Sequence, residues 1–302
     1  MDVSIIIVNY NTKKLLQNCI NSIINHTKEL SYEVIVSDND STDGSIEMIK
    51  TNFPEVILLE NKANLGFGAA NNRALEIAQG KYVFYLNSDT VICNNAVKLF
   101  FDFFENAAEP IGALGCNLVD DNLSIIHSYG LFPTKEKIIK NLIADLKQLT
   151  KRSLIFFLKS YSLNKESTSP KFEKKTGTVD YITGADLFMQ NNELAKFDEY
   201  FFLYFEDTDL NKRLEQNNLQ RLLIDGPIIK HLEHKSNKYS SQINYYSSFS
   251  KINYNLSSIK YLKKYGINKK YLFFAKLLLT LQWLNPFIIS KSKKYLSIMW
   301  KI

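Results

Sequence analysis

Four short apolar runs recur in the first third of the chain, and three of them stop at a polar cluster. "VSIIIVNY" ends at Asn9, Tyr10 and Asn11; "YEVIVSD" runs into Asp38, Asn39 and Asp40; "VILLEN" follows; and "KYVFYLN" leads to Asn87, Ser88 and Asp89. The stretches between them have helical spacing. "KKLLQNCINSIINHT" places Leu15, Leu16, Cys19, Ile20, Ile23 and Ile24 on one face. "STDGSIEMIK" opens with helix-capping residues, and "GFGAANNRALEIAQG" closes on Gly80. Alternation of this kind predicts an α/β fold, with a largely parallel, buried sheet covered by helices on both faces. Such sheets bind ligands beyond the carboxyl ends of their strands. The polar clusters therefore predict one crevice, with Asp89 facing a site and not a core.

At 302 residues, 45% of them hydrophobic, the chain is long enough for one large domain plus an appendage. Cys19, Cys93 and Cys116 form no C-x-x-C pair. A disulfide framework or zinc site is not expected, and a reducing, cytoplasmic compartment fits. "MDVSIIIVNYN" has no basic region before its apolar run and reads as a strand, not a signal peptide. The net charge of +6 conceals a division: every acidic residue lies at or before Glu233, and 13 lysines follow it. Because this basic tail is rich in Leu, Ile, Phe and Tyr, it suits an anionic lipid surface rather than nucleic acid.

Further along, residues 135–165 read as one or two basic amphipathic helices, and "KESTSPKFEKKTG" as a polar loop. "TVDYITGADLFMQ" has a strand pattern, "FDEYFFLYFEDTDLNKRLEQNN" sets an aromatic run before an acidic helix start, and "LQRLLIDGPIIKHLEHKS" reads as two strands around a Gly-Pro turn.

Each polar motif has a chemical reading beside a plain structural one. Asp38 can accept the N3–H of uracil or thymine, or it can cap the following helix. "NLGFGAANN" resembles a dinucleotide fingerprint, but Asn71 takes the place of the third glycine and the stretch follows the third strand. Its glycines can let a ligand approach the backbone, or simply start a helix. Asn87, Ser88 and Asp89 can hold Mg2+ or Mn2+ against a diphosphate, or form an Asx-type turn. Glu206, Asp207 and Asp209 crowd three carboxylates behind an aromatic run. Burial and like charge raise a carboxyl's pKa, which suits a general base; acidic residues are also ordinary at a helix start. His231 is a candidate metal ligand or a structural histidine, and His234 beside it does not make a metal site.

Taken in order, "SIIIVNYN", "VIVSDNDSTDGS", "NLGFGAANNRAL", "YVFYLNSDT", "DYITGADLF", "FDEYFFLYFEDTDLNKR" and "HLEHKS" resemble the pattern of glycosyltransferase family 2. The nearest branch looks like the rhamnosyltransferases and galactofuranosyltransferases of bacterial surface polysaccharides. The resemblance implies a GT-A fold over residues 1–235, with a nucleotide-sugar half (1–120), an acceptor half (121–235) and a basic, apolar helical segment (236–302). It implies inverting transfer from a UDP- or dTDP-sugar to a saccharide or lipid-linked acceptor. By position, Asn9, Asn11, Asp38 and Asp40 would line the nucleotide pocket, and Gly66, Phe67 and Asn71 or Asn72 would approach the donor. Asn87 and Ser88 would flank Asp89, the metal carboxylate; Asp207 would be the base, and His231 a further metal ligand. The metal motif is N-S-D and lacks the first carboxylate of the usual D-x-D. A sugar-nucleotide-forming nucleotidyltransferase and a catalytically silent sugar-nucleotide or lipid-binding protein are the alternatives. The first lacks its glycine- and lysine-rich signature near strand one.

"YLFFAKLLLTLQWLNPFIIS", residues 271–290, approaches bilayer length but contains Lys276, Gln282 and Pro286. It reads as a segment lying on the inner face of the cell membrane, or as a helix packed on the domain.

Overall fold

The structure is a computed structural model, and it describes residues 1–157, 172–232 and 243–302. The chain divides into two compact units. The first comprises Met1–Phe132, Lys171–Phe202 and Glu206–Glu233; the second comprises Pro133–Pro170, Leu203–Phe205 and His234–Ile302. This partition differs from a single cut near residue 235, because the helix of residues 135–157 groups with the C-terminal helices.

In the first unit the elements are β1 (Val3–Asn9), α1 (Lys13–His26), β2 (Tyr32–Asp38), α2 (Ser45–Asn52), β3 (Ile57–Glu60), α3 (Phe67–Leu75), β4 (Tyr82–Leu86), β5 (Thr90–Ile92), α4 (Ala96–Glu105), β6 (Ile111–Gly115) and β7 (Tyr129–Gly130). After α5 (Lys135–Phe157), which belongs to the second unit, come β8 (Gly177–Thr178), β9 (Tyr181–Ile182), β10 (Asp186–Gln190), α6 (Glu206–Gln216), β11 (Gln220–Leu223) and β12 (Ile229–His231). The main sheet has the order β3-β2-β1-β4-β10-β6-β11-β8. Strands β1 to β4 are parallel, while β10 runs antiparallel to both β4 and β6.

The apolar runs are continuous because both faces of the sheet are covered. Ile5, Ile7, Val34, Val36, Phe84 and Leu86 join one core with Leu16, Ile20 and Ile23 of α1 and Phe100 of α4. The alternate residues Ile6, Ile35, Val83 and Tyr85 join the other, with Ala74 of α3 and Leu210 and Leu214 of α6. The expected strand at "TVDYITGADLFMQ" is split into β8, β9 and β10, which lie in different pairings.

The second unit is helical: α5, α7 (Phe249–Lys264), α8 (Lys269–Trp283) and α9 (Ile289–Lys301). The ion pair from Lys251 Nζ to Asp145 Oδ2 (2.6 Å) joins α7 to α5. Trp300 Nε1 donates to Thr280 Oγ1 (3.1 Å), joining α9 to α8. The 271–290 stretch is thus two helices interrupted around Pro286, which cannot continue the hydrogen-bond ladder. No helix among the described residues is long and apolar enough to cross a membrane.

Candidate functional site

The ends of β1 and β2 are in register, Asn9 against Asp38. Asn9 Nδ2 donates to Asp38 Oδ2 (2.6 Å) and to Ser41 Oγ (3.0 Å), and the Ser41 N–H donates to Asp38 Oδ1 (2.8 Å). Both oxygens of Asp38 are occupied and the residue is fully covered. It does not cap α2, whose N-cap is Gly44; there the Asp43 carboxylate takes the N–H of Ser45. Asn11 and Asp40 both adopt left-handed backbone, which Asn and Asp tolerate better than most residues. Asn11 Oδ1 accepts the Thr42 N–H (2.8 Å), while Asp40 is exposed. The Thr12 hydroxyl donates to Asn9 Oδ1 (2.6 Å) and lies 2.9 Å from Ser88 Oγ. Thr12, which the motif reading passed over, therefore ties the end of β1 to the cluster after β4.

That cluster opens with a turn in which the Thr90 hydroxyl donates to the Asn87 carbonyl (2.7 Å). Strand β5 then pairs antiparallel with β12, placing Thr90 opposite His231. This pairing brings His231 Nε2 to 3.1 Å from Asp89 Oδ1 and 3.4 Å from Asn87 Nδ2. Both side chains are mostly covered, with Asp89 the more open. Among the described residues no group of three or more His, Cys, Asp or Glu could hold a metal ion. One carboxylate and one imidazole nevertheless fit Mg2+ or Mn2+, which are commonly held by one or two carboxylates with substrate phosphates and water completing the shell. His234 lies outside the described residues.

Asp207 stands in the first turn of α6, which the chain enters through Tyr204 and Phe205, both left-handed. Bulky residues in that conformation are strained, and such strain gathers at functional sites. Asp207 Oδ1 accepts the Thr208 N–H (2.6 Å), and Oδ2 accepts the Gly184 N–H (3.1 Å). Burial pushes its carboxyl above the ordinary aspartate range, opposed by those N–H groups and by His127. Asp209 is fully covered and paired with Arg213 (3.2 Å), and Glu206 is also buried. Of the three carboxylates, Asp207 alone keeps appreciable exposure.

Gly184 and Ala185 connect the two carboxylate regions. While the Gly184 N–H holds Asp207, the Ala185 carbonyl accepts the Asn87 N–H (3.1 Å). A Cβ on Gly184 would lie 3.0 Å from the Phe67 ring and 3.7 Å from Asp207 Cβ. Phe67, Gly184 and Asp207 thus form one wall. At Gly66 (φ +83, ψ −173) a Cβ would lie 2.0 Å from the Phe202 carbonyl oxygen, so only glycine fits.

Asn71 and Asn72 are both hydrogen-bonded within the protein. Both are almost fully buried, and their amides serve the protein itself. Asn71 Nδ2 donates to the Phe67 carbonyl (3.0 Å). Asn72 accepts the Phe197 N–H (2.8 Å) and donates to the Phe197 carbonyl and Glu199 Oε1 (2.9 Å each). Asn72 thus fastens α3 to the 197–199 segment. Sequence reading also missed Asp186, which begins β10 opposite Leu86 and is fully buried. Its Oδ2 accepts the Cys116 N–H (2.7 Å), its Oδ1 has no hydrogen-bond partner, and burial pushes its pKa to about 8.

Residues 4–151 match the model described as Glycosyl transferase family 2. A glycosyltransferase of Bacillus subtilis, YfnE, described as uncharacterized, is 29% identical over 268 residues, covering 78% of this chain and 66% of that protein. The chain spans 17%, 66% and 37% of the lengths of the first curated relatives it matches, less than two thirds of each. Among solved structures, TarS 1–349 of S. aureus in complex with UDP superposes with a TM-score of 0.51 at 16% identity, covering 88% of this chain and 72% of that one. The mannosyltransferase PcManGT of Pyrobaculum calidifontis, in complex with GDP-Man and Mn2+, gives 0.54 at 15% identity, covering 99% and 75%. These likenesses identify the fold as GT-A. Over residues 4–151 the chain carries a glycosyltransferase family 2 domain.

Proposed function

We propose that this protein transfers a sugar, with inversion, from a UDP- or dTDP-sugar to a hydroxyl of a lipid-linked saccharide acceptor in the synthesis of a cell-surface polysaccharide. The observation that carries this reading is the Gly184-Ala185 bridge. It sets a half-buried carboxylate, Asp207, beside the turn that bears Asp89 and His231. An inverting displacement needs a base on the acceptor side and charge stabilisation at the leaving group.

Asp207 takes the proton of the acceptor hydroxyl as its oxygen bonds to the anomeric carbon and the bond to the nucleotide diphosphate breaks. The Gly184 N–H fixes the orientation of that carboxylate, and Phe67 walls the sugar side. Asp89 and His231 are the residues that would hold Mg2+ or Mn2+. When bound, a divalent cation supplies neutralisation of the charge growing on the diphosphate. Asn9, Asn11 and Asp40 line the nucleotide pocket. Asp38 holds Asn9 and the 41–43 turn in place; contact of its carboxylate with a pyrimidine N3–H would require an oxygen released from Asn9. The two structural neighbours carry a uridine and a guanosine nucleotide, so the choice of pyrimidine rests on this chain's own pocket.

Titration of UDP, dTDP, GDP and CMP, with Mn2+ or with chelator, and an assay of released nucleotide diphosphate test the reading. UDP or dTDP should bind tightly with metal and weakly in Asp89→Ala. Asp207→Asn should bind donor nearly normally while turnover falls by a factor of about 10²–10⁴. Because a base must be ionised, and burial raises the Asp207 pKa, wild-type turnover should fall with acid from a pH above the ordinary aspartate range. Near wild-type turnover in Asp207→Asn removes it as the base. Release of pyrophosphate instead identifies a nucleotidyltransferase, and release of nothing identifies a binding protein.

A further inference from the structure

Helix α8 is apolar in two directions. Inward it buries Ala275, Leu278, Leu279 and Trp283. Outward, every exposed residue from 271 to 284 is also apolar or aromatic: Tyr271, Phe273, Phe274, Leu277, Leu281 and Leu284. Phe273 is 57% exposed and Leu281 53%. The spacing of Phe274, Leu277, Leu281 and Leu284 makes a single stripe, about 20 Å long with Tyr271. Meanwhile the polar Lys276 and Gln282 are buried on the inward side. An ordinary surface helix has the opposite arrangement, and one that is hydrophobic all round is normally covered.

The charge around the stripe selects the cover. Lys269 and Lys270 lead into it, and Lys291, Lys293, Lys294 and Lys301 are exposed on α9, which packs against α8 through Trp300. All 13 charged residues after Glu233 are lysines. A second copy would bring the same positive charge to the contact, whereas an anionic bilayer brings the opposite one. The helix is not a membrane span. It has the features of a helix lying in the interface, with aromatic and aliphatic side chains among the acyl chains and lysines at the headgroups.

We infer that the outward face of α8, with the lysines of α9, is a docking surface for an anionic lipid bilayer. This inference is independent of the transfer chemistry. The test is co-sedimentation of the full chain with vesicles of phosphatidylglycerol and phosphatidylcholine, against vesicles of phosphatidylcholine alone. Binding should be at least about tenfold tighter to the anionic vesicles and should weaken with salt. Leu277→Glu/Leu281→Glu should lower it at least about tenfold while circular dichroism and the melting midpoint stay near wild type. Lys293→Glu/Lys294→Glu should lower it about tenfold through charge alone, and this variant decides the matter if the first one misfolds. Failure of the wild type to sediment overturns the inference, as does equal binding by folded variants. A concentration-dependent dimer in sedimentation velocity, abolished by Leu277→Glu/Leu281→Glu and unaccompanied by vesicle binding, overturns it in favour of a contact between copies.

Discussion

The two units treat polar groups in opposite ways. In the sheet unit, buried amides are tied into networks: Asn61 Nδ2 donates to Ser37 Oγ and Asn39 Oδ1, Arg73 donates to Asn61 Oδ1, and Asn39 Nδ2 reaches the Gly66 carbonyl. Exceptions in this unit include Thr27 Oγ1, and Asp186 Oδ1 and Thr183 Oγ1, which flank the Gly184-Ala185 bridge. In the helical unit, Asn255 and Gln282 are almost fully buried with neither amide atom hydrogen-bonded, and Trp283 Nε1 also lacks a hydrogen-bond partner. Apolar side chains are meanwhile left outside on α8. The contrast separates two kinds of construction. Strand ends that must hold a polar ligand are fixed by directional bonds, whereas the helical unit relies on burial of apolar surface and leaves part of that surface for a partner.

Substitutions can sharpen or break this contrast. The largest effect belongs to Gly66→Ala, since a Cβ there combines disallowed backbone with collision against the Phe202 carbonyl. It should cost about 4 kcal/mol in denaturant unfolding, from strain and overpacking together. Asn72→Ala should cost about 3 kcal/mol, because it strands the N–H and carbonyl of Phe197. A change near zero in either would mean that the network is not under tension from its neighbours.

Asp186 gives a pH signature. Its folded-state pKa of about 8 lies above the ordinary aspartate value of about 3.9, so between those values the folded chain keeps a proton that the unfolded chain has lost. Stability from this group is therefore present at low pH and is lost as pH rises toward 8. Asp186→Asn should melt like wild type near pH 4 and gain on it progressively as pH rises to 8. Parallel curves would mean that the carboxyl finds a partner on ionisation. Smallest is Gln282→Leu, which removes an unsatisfied buried amide and should stabilise the helical unit by about 1 kcal/mol. Destabilisation would show that the amide is met in solution and would erase the contrast at that position.

The sequence by itself determined the parallel core and its polar strand ends, because residues buried on both faces must be apolar along their whole length and polarity can return only where the strand stops. The polar strand ends at Asn9, Asp38 and Asp89 were legible for that reason, as were most of the helices. The antiparallel strand β10, inserted between β4 and β6, was not, because pairing partners leave no mark in local periodicity. Nor could sequence distinguish a donor-facing Asn72 from one that clamps Phe197, since both need the same residue at the same spacing. Only tertiary structure brought His231 to Asp89, through the β5–β12 pair, and Asp207 to the Asn87–Asp89 turn, through Gly184 and Ala185. Hydrogen-bond geometry between residues far apart in the chain is fixed by how the strands pair, and no local pattern encodes it.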